Sequence, residues 1–119
     1  PDLSFLYGTI FIGPPLDGDG AHSRNVCIFA EGEVDRCPTG TGISGRLAIH
    51  NARGEIGLNQ PIIVESIIGS RFTGRIVEPT AFGPHPAIIP EVEGTAHITG
   101  RHEFLIDPTD ALRDGFILR

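Results

Sequence analysis

The chain is 119 residues long, with 39% apolar and 20% charged residues, a balance that builds one globular domain and not a disordered tail. Fifteen acidic residues against nine basic ones leave a net charge of −6, and every basic residue is arginine. That argues against a nucleic-acid binder, and the absence of lysine excludes Schiff-base and Walker-type phosphate chemistry.

Sixteen glycines and ten prolines, far above the average usage of about 12% for the two together, favour short strands and turns over long helices. Residues 5–12 (FLYGTIFI) read as a strand that breaks at Gly13-Pro14-Pro15. Residues 16–23 read as a loop, 25–30 (NVCIFA) as a second strand, and 31–33 as a turn. Residues 35–42 (DRCPTGTG) hold Pro38, Gly40 and Gly42 too close together for regular structure. Residues 43–52 (ISGRLAIHNA) fit one short helix stopped by Arg53-Gly54. Gly45 inside it costs about 1 kcal/mol against alanine, so a close neighbour is expected there. From residue 61 the pattern turns to strands. Residues 62–68 and 71–77 flank a Gly69-Ser70 turn, and shorter strands follow at 87–89, 94–99 and 102–106. Residues 107–115 are turn material, and 116–118 a last apolar piece. The fold class predicted is α+β, a mostly antiparallel sheet wrapped on one central helix.

No apolar run approaches the ~18 residues of a membrane helix, and no secretory leader is recognisable. The chain has no methionine, so it is expected to be a processed product or a piece of something longer. Cys27 and Cys37 make no disulfide framework, which points to a reducing, cytoplasmic setting. The five histidines show no metal spacing, with His97 and His102 expected on separate strands and His50 on the helix.

Residues 40–45 (GTGISG) formally match G-x-G-x-x-G, but a polar loop precedes them and no acidic residue stands about twenty positions on. A dinucleotide fold is therefore set aside. A glycine-rich loop running into a helix N-terminus still offers free amides and a favourable dipole to a carboxylate or phosphate. The alternative is that Thr39 or Thr41 simply caps the helix.

Residues 23–50 (SRNVCIFAEGEVDRCPTGTGISGRLAIH) resemble the second catalytic segment of the proline racemase family, and the likeness extends to 7–15, 62–76 and 87–110. That family includes proline racemases, hydroxyproline 2-epimerases and trans-3-hydroxy-L-proline dehydratases. Its other catalytic segment, a Cys-Gly-His motif, does not occur here. The resemblance implies a single domain over 1–119, the C-terminal lobe of a two-lobe enzyme. Its fold would be a diaminopimelate-epimerase-like lobe with a curved sheet around a central helix, the active site lying between lobes. It implies cofactor-free abstraction of the α-proton from a small imino acid, with a cysteine on each face of the α-carbon in racemases and epimerases.

The family pattern DRSPCGTG reads DRCPTGTG here, so Thr39 stands at the cysteine position and Cys37 at the serine position. A hydroxyl cannot serve as a thiolate base at neutral pH, so two-base racemisation should fail. A one-base dehydration remains open, the pattern of the dehydratase branch. Cys37 would rescue racemisation only by turning its thiol to where Thr39 points. By position the resemblance assigns Thr39 a catalytic place, Asp35 the ring nitrogen, and the Gly40 and Thr41 amides the carboxylate. It assigns Phe29 packing on the ring, although Phe29 also reads as ordinary core, Asp35 as a turn residue, and Cys27 as buried and inert. The reading is a trans-3-hydroxy-L-proline dehydratase lobe, with a racemase or epimerase, or a non-catalytic relic or binding module, as alternatives. Its partners would be the substrate, the missing first lobe and a second copy in a dimer; neither nucleic acid nor membrane is expected.

Overall fold

A computed structural model describes residues 4–16 and 20–116. Six strands and one helix occur among them: β1 (Gly8–Gly13), β2 (Ser23–Phe29), β3 (Glu33–Val34), α1 (Gly40–Ala52), β4 (Ile62–Glu65), β5 (Arg71–Phe82) and β6 (His85–Glu93). They form one open mixed sheet in the order β1-β2-β4-β5-β6, with β3 also on β2. Four pairings are antiparallel, and β2–β4 alone is parallel. The class is α+β as expected. The parallel pair exists because the chain crosses over through α1 between β2 and β4.

One edge of β2 is fully taken by β1, from Gly8↔Phe29 to Gly13↔Arg24. Its other edge is divided, β3 holding Ile28 and Phe29 and β4 holding Ser23 and Arg24. Into the notch between them the Asp35 amide donates to the Cys27 carbonyl at 3.0 Å. This split edge positions the loop 35–39 that leads into α1.

The helix begins at Gly40, three residues earlier than the apolar spacing indicates, so Gly40 to Gly42 form its first turn. It stops as expected, with Gly54 at φ 72° just beyond. Its Ile43 and Leu47 are fully buried and pack with Ile56, Ile62, Val64 and Ile76, while Phe72, Ile88 and Val92 close the cluster. Gly74 in β5 makes this approach possible, because a Cβ there would stand 2.7 Å from Ile43 Cγ2. The close neighbour expected at Gly45 is absent. That glycine is exposed, and a Cβ would meet nothing within 4 Å. The tight position is Gly42, which lies against Ile10 Cδ1. Gly45→Ala should therefore stabilise the chain by about 1 kcal/mol, the helix-propensity difference, measurable by urea unfolding.

The hairpin of β4 and β5 turns over residues 66–70 rather than two residues, with the Ser66 amide on the Ser70 carbonyl and Gly69 at φ 83°. The strand expected at 87–89 is the middle of β6, in a long hairpin with β5 that sequence patterning missed. Pro79, Pro86 and Pro90 hide it, and all three are tolerated because each faces an open edge there. The strands expected at 94–99 and 102–106 do not form. Residues 94–107 take no regular structure and pair with no strand, so His97 and His102 lie on no strand. Turns do occur within 107–115, while residues 117 and 118 lie outside the described residues. Among the described residues no helix is long and apolar enough to cross a membrane.

Candidate functional site

The loop 35–39 and the start of α1 wall a cavity of about 500 Å³. Asp35, Thr39, Thr41 and Gly42 line one side, Cys27 and Phe29 of β2 the floor, and Tyr7, Gly8 and Ile10 the other. Four of the residues singled out from sequence, Phe29, Asp35, Thr39 and Thr41, thus share one cavity. Gly40 stands between Thr39 and Thr41 in the first helical turn. Tyr7 and Ile10 were missed, although the lone tyrosine and the pairing of Ile10 opposite Cys27 bring both to the rim. Tyr7 stacks at a tilt on Phe29 with centroids 5.9 Å apart. Cys27 is a free, buried thiol, as expected.

The backbone bends sharply into the helix. Thr39 has φ 67°, a left-handed conformation that a β-branched residue adopts at a cost of about 1–3 kcal/mol. Thr39 occupies the N-cap position but makes no side-chain cap. Its hydroxyl instead donates to Asp35 Oδ2 at 2.8 Å. The capping alternative for Thr39 therefore fails. The amides of Gly40, Thr41 and Gly42 have no carbonyl one turn back to bond, and the first turn carries no acidic residue. An anion at this end meets donors and the positive end of the dipole.

Asp35 organises the loop. Its Oδ1 accepts the Cys37 amide at 2.9 Å, and its Oδ2 accepts the Cys37 thiol at 3.3 Å as well as the Thr39 hydroxyl. Partial burial pushes the carboxyl up, but these bonds and that from the Arg36 amide outweigh it and hold Asp35 below its ordinary value. The stability this contributes is present above the unfolded carboxylate value near 4 and is lost as pH falls through the lower folded value. The stability difference between wild type and Asp35→Asn should accordingly shrink as pH drops below about 4. A difference unchanged down to pH 2 in acid titrations would contradict it.

Cys37 is held differently. Partial burial raises its thiol above the ordinary value, and the Asp35 carboxylate adds to the rise. Its sulfur also accepts the Thr39 amide at 3.3 Å. The thiol is thus protonated at neutral pH and turned onto Asp35, and it is not among the cavity-lining residues. On the far side of the loop the Ser70 hydroxyl donates to the Arg36 carbonyl at 2.9 Å, tying the site to the β4–β5 turn.

Comparison with known proteins adds a consistent picture. The family model described as "Proline racemase" matches residues 1–117. A trans-3-hydroxy-L-proline dehydratase of Colwellia psychrerythraea is 51% identical over 118 residues, covering 99% of this chain and 33% of that protein. A 3-hydroxyproline 2-epimerase of Burkholderia multivorans is 43% identical over 119 residues, covering 100% of this chain and 35% of that protein. The crystal structure of a hydroxyproline epimerase from Agrobacterium vitis, with bound trans-4-hydroxy-L-proline, superposes with a TM-score of 0.77 at 35% identity, covering 95% of this chain and 32% of that one. The chain spans about a third of the length of the relatives it matches.

Proposed function

The chain belongs to the proline racemase family, and from that membership we propose that it is one lobe of a lyase that removes water from trans-3-hydroxy-L-proline. The observation that carries this reading is the chemistry at Thr39. A hydroxyl hydrogen-bonded to Asp35 occupies the family's cysteine position, and the nearest thiol, Cys37, is held protonated on the same Asp35 oxygen and is not among the cavity-lining residues. One face of the α-carbon then has no base.

In the proposed reaction the substrate carboxylate sits on the amides of Gly40 and Thr41, whose preorganised donors stabilise charge as the α-proton leaves. Asp35 faces the ring ammonium, and Phe29 packs on the ring. A cysteine thiolate from the segment that this chain lacks takes the proton at C2. The C2–H electron pair forms the C2=C3 bond, and the C3–O bond breaks with its electrons leaving as hydroxide, protonated to water. Thr39 guards the second face without returning a proton to C2, so elimination wins over inversion. No cofactor is invoked, and the two free thiols suit a reducing, cytoplasmic compartment.

The test is to supply the complete protein with trans-3-hydroxy-L-proline and follow both loss of the 3-hydroxyl and the configuration at C2. Dehydration without epimer is expected. Epimer as the main product would replace this reading by an epimerase, and no turnover would favour a non-catalytic binding module.

For the 119-residue chain by itself we propose a dimer. Phe104 and Leu105 are 83% and 90% exposed in a segment with no strand neighbour. Burying five to eight such residues contributes several kcal/mol at about 25 cal/mol per Å², whereas repulsion from the net charge of −6 is screened by salt. Sedimentation at micromolar concentration should show two-chain particles. A single monomeric species would defeat the expectation.

A further inference from the structure

Asn25 lies outside the cavity lining, yet its side chain reaches the backbone of the site. It stands on β2 and is 1% exposed. Arg46, midway along α1, donates to Asn25 Oδ1 at 2.9 Å and to Ser23 Oγ at 2.8 Å. A guanidinium only donates, so the amide oxygen must face it and the amide nitrogen must face away. That nitrogen donates to the Pro38 carbonyl at 3.2 Å.

The Pro38 carbonyl belongs to the peptide that joins Pro38 to Thr39. The N–H of the same peptide donates to Cys37 Sγ at 3.3 Å. One peptide plane is therefore gripped at both ends, by Asn25 at its oxygen and by Cys37 at its nitrogen. Rotation of this plane is the direct route by which Thr39 would leave φ 67°, a conformation unfavourable for a β-branched side chain. Leaving it would also swing the hydroxyl off Asp35.

We propose that Asn25, oriented by Arg46, is a positioning residue that locks the Pro38–Thr39 peptide and so aims the Thr39 hydroxyl into the cavity. The functional half of this inference rests on the reading of the site as catalytic. Its geometric half does not.

Two variants separate the possibilities. Asn25→Asp keeps an oxygen for Arg46 and sets an acceptor against the Pro38 carbonyl. Arg46→Ala releases the amide from the helix side. In the complete enzyme Asn25→Asp should lose on the order of 10²-fold in kcat, the usual effect of a misplacement near 1 Å, because a Thr39 that swings off Asp35 also shifts the carboxylate proposed to face the ring nitrogen. KM should stay nearly unchanged, because the amides of the first helical turn are untouched. Arg46→Ala should show a smaller loss in the same parameter. In the 119-residue chain, the ¹³C shifts of Thr39, which report the sign of φ, should move toward values for negative φ in both variants. Unchanged kcat per folded molecule in both variants, or Thr39 shifts that stay put, overturns the proposal. If Asn25→Asp does not fold, Arg46→Ala carries both measurements. A wild-type enzyme without dehydratase activity sinks the functional reading instead, and the Thr39 shifts still decide the role of Asn25.

Discussion

Thr39→Cys in the complete enzyme should begin to epimerise proline-type substrates while its dehydration slows. The substitution places a thiol where the hydroxyl now stands, beside Asp35, whose carboxylate keeps it protonated as it does Cys37, and the protonated thiol is the form that can give a proton to C2. A thiol near pKa 8.5 exchanges protons at neutral pH, whereas a hydroxyl does not. With an acid on the second face, the carbanion at C2 can be reprotonated before the 3-hydroxyl leaves. A positioned acid or base contributes about 10²–10⁴-fold, so epimerisation should rise from background by that order. The φ of 67° costs cysteine less than it costs threonine, since cysteine lacks the second branch at Cβ. Chiral separation of product together with deuterium incorporation at C2 reads the result. If the wild-type enzyme already racemises proline at a good rate, the argument from hydroxyl acidity is wrong. Cys37 would then have to reach the substrate despite its bond to Asp35.

The 119-residue chain by itself should exchange no α-proton of proline or hydroxyproline in deuterated water. On the proposed reading it offers a carboxylate seat, a ring pocket and Asp35, but the only thiol lining its cavity among the described residues, Cys27, is buried on the floor, and the cysteine that would take the α-proton is not in this chain. Residues that act as a unit lose nearly everything when one member is missing, so the deficit should be on the order of 10⁴-fold or more. Mixing with the complementary segment of the protein, expressed separately, should restore turnover. Exchange by the purified chain alone, followed by proton NMR, would show that a base is present here after all.

How much of this was legible beforehand depends on range in sequence. Phe29, Asp35, Thr39 and Thr41 fall within thirteen residues, and a strand, a tight loop and a glycine-rich helix start are local instructions. Their meeting in one cavity could be anticipated from the motif and from the family likeness. The position of Gly45 was misread because a glycine's reason lies in its neighbours, and here it has none within 4 Å. The strands at 94–99 and 102–106 were misread for a related reason. Their alternation suits a sheet, but a strand forms only where a partner supplies the other half of its hydrogen bonds.

Composition and spacing by themselves determined an acidic, lysine-free α+β chain with one helix, properties that follow from residue identity alone. The family resemblance added that Thr39 stands where the pattern DRSPCGTG has a cysteine. Only the tertiary structure decided that β2 shares its edge between β3 and β4, and that Cys37 bonds to Asp35 and is not among the cavity-lining residues. It alone brought Asn25 under the Pro38 carbonyl, thirteen positions away in sequence, with Arg46 behind it. The physical reason is that a hydrogen-bond partner is chosen by proximity and burial. A polar side chain removed from water must take whichever donor or acceptor the packed elements deliver, and spacing along the chain does not encode which one that will be.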